Sequence, residues 1–134
     1  MSHEIAIQKA VYALLSGDSD MPEVYDNVPQ KDGRITASWP FVVVGEDTSI
    51  AWDTDDSVGA EATITIHSWT RYGGRAAAKS LMSTIYDLVH RAELTLDGYA
   101  AVTIDFEYSE VLEEADQVTF HGVQRFRLLL ERPA

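Results

Sequence analysis

An α+β two-layer sandwich is the fold this sequence predicts: an antiparallel sheet of about four strands and two helices, in the order α-β-β-α-β-β. Three observations predict it. Apolar residues recur at three- and four-residue intervals over 3–16 and again over 75–93, the spacing of helices with one buried face. Apolar and polar residues alternate over 63–70, over 102–108 and near the C-terminal end, as in strands with one face on a core. Each pair of strands follows a helix, so each pair is able to run antiparallel while each helix covers one face of the sheet.

The first helix spans residues 3–16. Ile7, Ala10, Val11 and Leu14 fall on one side of it. Ser2 is placed to cap its start, Glu4 suits the positive end of the helix dipole, and Gly17 suits the stop. Residues 17–38 are rich in turn formers and read as a long working loop, with Val24-Tyr25-Asp26 as a short extended piece inside it. Phe41-Val42-Val43-Val44 is a continuous apolar run and predicts a strand buried on both faces. Residues 46–60 read as a second long loop, acidic and closed by Gly59.

From Thr63 to Thr70 the alternation predicts a strand with Ile64 and Ile66 on one side and Thr63, Thr65, His67 and Trp69 on the other. Gly73-Gly74 ends it. Ala78, Leu81, Met82, Ile85, Leu88, Val89 and Ala92 then give the core face of the second helix. Asp97-Gly98 marks a turn before a strand over 102–108, and an acidic loop follows. The last strand runs from about Val118 to Glu131 with Phe126, Leu128 and Leu130 inward, and its length suggests a bulge near Gly122.

Composition narrows function. A chain of 134 residues with 46% hydrophobic content, three Trp, six Tyr and four Phe has the material for a packed core, so residues 1–134 are expected to form a single domain. It has no cysteine, which excludes disulfides and thiolate metal sites. The N-terminal segment is too polar for a signal peptide, and no stretch approaches the roughly 18 apolar residues of a membrane span. A soluble cytoplasmic protein without membrane contact is the expectation. The net charge is −12, and no Lys or Arg relieves the acids of 46–61 or of 105–116. Such a surface disfavours ordinary nucleic-acid binding. It serves solubility, or it lies near DNA without holding it.

Motifs for chemistry are missing. Asp53-Thr54-Asp55-Asp56-Ser57 has carboxylates for calcium, but the positions where an EF-hand loop needs Gly and Glu hold Val58 and Ile64. His3, His67, His90 and His121 are isolated in sequence; His67 and His121 lie on strands and are able to meet across the sheet. A small metal- or ligand-binding domain built on that pair is therefore the alternative function. No Gly-x-Ser-x-Gly elbow and no phosphate loop occurs. Gly73-Gly74-Arg75, with Arg71 and Lys79 nearby, is either an anion cradle at a helix start or a tight turn with a solvated basic flank, and the second is the simpler account. Trp52 stands in an acidic segment, where it docks on a partner or folds back on its own domain.

The ordered set of elements resembles the tail-completion proteins of long-tailed phages and gene transfer agents, also called tail-terminator or head–tail joining proteins. The resemblance rests on Val24-Tyr25-Asp26 with Val28-Pro29, Trp39-Pro40-Phe41-Val42-Val43-Val44-Gly45, Trp52-Asp53-Thr54 and Thr65-Ile66-His67-Ser68-Trp69. It continues through Gly74-Arg75 with Ala78-Lys79, Leu94-Thr95-Leu96, Phe106-Glu107-Tyr108-Ser109 and His121-Gly122-Val123-Gln124-Arg125-Phe126-Arg127. It implies a structural virion protein, made in the bacterial host cytoplasm, that forms a homohexameric ring, caps the tail tube and joins it to the neck or connector protein. It implies no catalysis and no cofactor, and DNA that passes through without specific binding. A ring of this kind needs head-to-tail contacts, for which the loops 17–38 and 46–60 are the candidates. Tyr25, Asp26, Trp52, Asp53 and Thr54 are the candidate contacts to a neighbouring subunit or the tube. Glu46, Asp47, Asp55, Asp56, Glu113 and Glu114 are the candidate channel-facing acids.

Overall fold

A computed structural model describes residues 3–51, 53, 57–96, 98–99 and 101–133. In chain order the elements are α1 (His3–Ser16), β1 (Glu23–Tyr25), β2 (Gln30–Lys31), β3 (Arg34–Ile35), β4 (Phe41–Ala51), β5 (Ser57–Arg71), α2 (Gly74–Val89), β6 (Ala101–Glu113) and β7 (Thr119–Pro133). The fold is α+β, as the periodicities predict, but the main sheet has five strands in the order β1-β4-β5-β7-β6 and is mixed. β1 runs parallel to β4, with Val24 opposite Val42. The expected four-strand antiparallel sheet omitted β1, because a strand of three residues is too short to show a period. β2 and β3 form a separate two-stranded ribbon. Its turn holds Asp32 at φ 53° and Gly33 at φ 77°, the left-handed pair that suits a tight hairpin.

Two expected loops are largely strand. β4 continues to Ala51 and β5 starts at Ser57, so most of 46–60 is an antiparallel ribbon, with Thr48 opposite Thr63 and their hydroxyls 2.6 Å apart. Residues 46–51 are exposed. The β4 half of the ribbon is wet on both sides and carries no apolar alternation, and the β5 half buries only the small residues Gly59 and Ala60, so the segment reads as loop. For the same reason β6 extends to Glu113, into residues expected to be loop. The ladder between β5 and β7 is regular past Gly122, from Ser57–Pro133 to Arg71–Thr119, so the expected bulge at Gly122 is absent. The irregularities lie between Val44 and Asp47 and between Phe106 and Tyr108.

α1 matches its expected bounds and buries Ile7, Val11 and Leu15. α2 stops at Val89, earlier than the pattern suggested, and His90 N–H donates to Tyr86 O at 2.9 Å. Arg91 then turns through φ 58° and donates its N–H to Ile104 O. Ala92 still packs on the core, so the apolar spacing outlasts the helix. Ser2 and Asp97 lie outside the described residues.

Both helices cover one face of the sheet. Val42, Val44, Ile64, Ile66, Ile85, Ile104, Phe126, Leu128 and Leu130 form this main core. Among the described residues no helix lies on the opposite face. A second, smaller core forms there, where the 26–40 crossover from β1 to β4 lays Val28, Ala37 and Trp39 against Phe41 and Val43. These two cores explain the unbroken apolar run 41–44: Val42 and Val44 enter one, Phe41 and Val43 the other. No helix among the described residues is long and apolar enough to cross a membrane.

Candidate assembly interface

The helix-free face carries a line of polar groups that crosses the sheet. His67 on β5 and His121 on β7 occupy neighbouring, same-facing positions, and Nδ1 of His67 lies 2.6 Å from Nε2 of His121. The bulge in β4 swings Glu46 over β5, and its carboxylate accepts from His67 Nε2 at 2.5 Å. At the far end Glu114 lies 3.8 Å from His121 Nδ1. Trp69 stacks on the His121 ring with centroids 3.9 Å apart, and Phe41 stacks on Trp69. Arg71 lies 3.9 Å over the Trp39 ring and donates from Nε to Thr119 Oγ1. The result is a riveted patch in which loop 26–40, β5 and β7 hold one another.

The hydrogen-bond roles in this line follow from donor counting. With both rings uncharged, His67 donates from Nε2 to Glu46 and its bare Nδ1 accepts from His121 Nε2; a proton added to either ring leaves two donors facing each other. Burial, followed by the charge of His67, pushes the His121 pKa down to about 4. The hydrogen bond from His67 holds the Glu46 carboxyl below its usual range. Folded His121 therefore binds a proton less readily than the unfolded chain does, with its ordinary value of 6.5. Between those two values the unfolded state takes up more protons, and stability falls as pH drops through the window. Glu46 acts with the same sign, since its contribution is lost as acid protonates it. Melting temperature is expected to fall between about pH 7 and about pH 4.5, and to fall less steeply in His121→Gln. Equal slopes for the two proteins would assign the loss to other groups.

The same geometry argues against a metal at the His67–His121 pair. Two imidazoles on one zinc, each about 2.0–2.1 Å from the ion, hold their nitrogens roughly 3.3 Å apart in a tetrahedral shell. Here the nitrogens are 2.6 Å apart and face each other. The carboxylates sit at the two ends of a line instead of closing a shell, and no group of His, Cys, Asp or Glu among the described residues is arranged to hold a metal ion.

The other sequence candidates separate. Tyr25 is half-buried on β1, edge-on to Phe41 at 6.1 Å. With Asp26, Ile5, Lys9 and Tyr12 it lines an open groove of about 640 Å³ between α1 and β1. Ile5 is 50% and Tyr12 41% exposed there, which makes this the more apolar side of the expected 17–38 contact. Asp53 is exposed and accepts from Gly59 N–H at 3.1 Å, a bond internal to the β4–β5 ribbon. Trp52, Thr54, Asp55 and Asp56 lie outside the described residues. Asp47 is exposed on β4. Glu113 points away from Glu114 and faces Arg75, 3.5 Å from its Nη1.

At the start of α2 Arg71 turns away from the other two basic residues, and Arg75 and Lys79 line an open groove that also holds Glu110. Arg71 goes to Trp39, Arg75 lies over Phe120, and Gly73 caps without a side-chain bond. That arrangement is a strand-to-helix turn, the simpler of the two sequence accounts. Sequence reasoning missed Glu46 as the partner of His67, because a bulge within an expected loop brings them together. It also missed the β2–β3 hairpin, although Asp32-Gly33 was its available signal.

Comparison with known proteins agrees with this architecture along nearly the whole chain. A family model described as "Tail completion protein gp17" matches residues 8–131. The chain is 28% identical over 127 residues to the tail completion protein gp17 of Bacillus phage SPP1, a match that spans 93% of this chain and 92% of that protein. Among solved structures, a chain in the virion of a native gene transfer agent particle superposes with a TM-score of 0.82 at 23% identity, covering 96% of both chains. A second structure shares the fold with a TM-score of 0.62 at 10% identity, covering 97% of this chain and 96% of its own. By the family match over residues 8–131, the chain belongs to the tail completion protein gp17 family, a structural family of virion tails and not an enzyme family.

Proposed function

We propose that the protein is a ring-forming tail terminator. Copies of it close on the end of the tail tube, join the tube to the neck and leave a passage for DNA. The observation that supports this most is the family match over residues 8–131. The fold adds a physical reason. A sheet with helices on one face and none on the other has an inside and an outside, and its two lateral edges are where head-to-tail neighbours fit. In this reading the helix-free face looks toward the channel, and Glu46 and Glu114 lie at the two ends of its polar line.

Channel acids act by repulsion. Each phosphate of passing DNA meets like charge, and the strand is not retained. Asp47, exposed beside Glu46, adds to this. Asp55 and Asp56 extend the acidic ribbon in sequence, and Glu113, turned to Arg75, serves the edge rather than the channel. Two measurements test the reading. The first is the mass of the protein in solution and on purified tails, with a ring expected at least on tails; a single copy per tail would overturn it. The second uses particles carrying Glu46→Gln, Asp47→Asn and Glu114→Gln, which are expected to assemble and to deliver DNA more slowly. Unchanged delivery would remove these acids from the passage.

A further inference from the structure

We propose that the β2–β3 hairpin of one copy docks on the β6 edge of the next copy. This rests on the ring reading above and names the two surfaces that make its contact. The hairpin comes from the crossover between β1 and β4, at one lateral end of the sheet, and β6 is the strand at the other end. A contact between opposite ends of the same molecule is heterologous, the type that generates rings.

Each surface is unfinished alone. Residues 30–36 are all exposed, and β2 and β3 are two residues each. A two-stranded ribbon is marginal in water even when longer, so this one gains from a surface to lie on. It offers Lys31 and Arg34 on either side of its turn, with Ile35 39% exposed beside them. On the receiving side, β6 is 13 residues long and, among the described residues, has β7 as its one strand neighbour. Arg91 N–H and His90 Nδ1 take the outer groups of Ile104 and Phe106, which leaves the 108–113 half of the edge without a strand partner. Tyr108 and Leu112 are 40% and 42% exposed on it.

Charge decides the polarity of the match. The segment 105–116 holds Asp105, Glu107, Glu110, Glu113, Glu114 and Asp116 and no basic residue. Arg91, Arg125 and Arg75 answer Asp105, Glu107 and Glu113 from neighbouring elements. Glu110 bonds to the uncharged Tyr108 hydroxyl. The carboxylate in Asp116 is spent on the turn, where it accepts from Thr119 and Val118. Lys79 of α2 lines the same groove as Glu110, while Glu114 meets His121 rather than a Lys or Arg, so a small acidic excess remains around Leu112. Two such acidic edges repel each other, which disfavours edge-to-edge pairing of β6 with β6. The hairpin supplies the opposite charge from the cross-strand pair Lys31 and Arg34, which outweighs Asp32 in the turn, and Ile35, paired with Gln30 on the ribbon's other face, supplies an apolar side chain.

The test is a charge swap read by sedimentation and by electron microscopy of the full chain. Lys31→Glu/Arg34→Glu and Glu110→Lys/Glu113→Lys are each expected to stay folded and to melt close to the parent, since all four side chains are on exposed positions and the ion pair lost, Glu113 with Arg75, is a surface pair. Each alone is expected to need roughly tenfold or more protein than the parent to form rings. An equal mixture of the two is expected to assemble, because a reversed hairpin then meets a reversed edge while the remaining contacts are native. Rings from either variant alone at parental concentration, or a mixture that fails while the parent assembles, would overturn the docking proposal and leave the ring reading intact. A parent protein that forms no ring, in solution or on tails, would overturn both.

Discussion

Phe126→Asp is expected to leave no folded protein at neutral pH, and Phe126→Ala to lose about 3–5 kcal/mol. Phe126 is fully buried. On β7 it sits between Ile64 of β5 and Phe106 of β6, and its ring meets that of Phe106 edge-on at 5.8 Å. Removing the ring opens a cavity under the helices. A carboxylate placed there has no cation to meet, since the neighbours in this cluster are all apolar, and an unpaired buried charge adds several kcal/mol more. Together these approach the whole stability of an ordinary domain, about 5–15 kcal/mol. Far-ultraviolet circular dichroism and urea unfolding read the outcome. A Phe126→Asp protein that melts like the parent would mean that β7 is out of register by one residue, with Arg127 and Leu129 inward instead.

Gly122→Val is expected to cost about 1–3 kcal/mol through crowding. Gly122 lies in regular β7 pairing, so the backbone accepts a side chain. The space above it does not. A Cβ at this position would come 2.6 Å from Sδ and 3.0 Å from Cγ of Met82, with Ser68 Cβ at 3.4 Å. Met82 is the α2 residue that rests on the sheet here, and its backbone carbonyl accepts from Gln124 Nε2 at 2.8 Å. Added bulk lifts the helix or forces Met82 to turn, and it strains that buried bond. Met82→Ala is expected to recover part of the loss in the Gly122→Val background while being destabilising alone. Chemical denaturation of the four proteins in this cycle gives the coupling. Strict additivity would show that the glycine is not there to admit Met82.

The sequence carried the helices and the inner strands clearly because one side of each is dry. Ile7 and Val11 in α1, Ile85 and Val89 in α2, and Phe126, Leu128 and Leu130 in β7 each repeat at the period of their element. The outer half of β4 and the end of β6 lacked that contrast. Thr48, Ser49, Glu110 and Glu113 are strand residues in contact with water, and a period needs two unlike faces to be heard. β1 was too short to have a period at all. Of the candidate site, the meeting of His67 with His121 followed from strand alternation. Glu46 joined them only through the irregularity after Val44, a three-dimensional event with no signature in the order of residues. Family resemblance, in contrast, depended on short strings scattered along the chain, and it survived errors in individual elements.

The crossover between β1 and β4 has an anchored base and a tip with no duty to the core. Trp39 is clamped between Phe41 and Arg71, whereas residues 30–36 are all exposed. A lineage can therefore lengthen, shorten or recharge the tip without rebuilding the scaffold beneath it. Compatibility between one particle's parts and another's can be rewritten in half a dozen codons while the rest of the gene stands still.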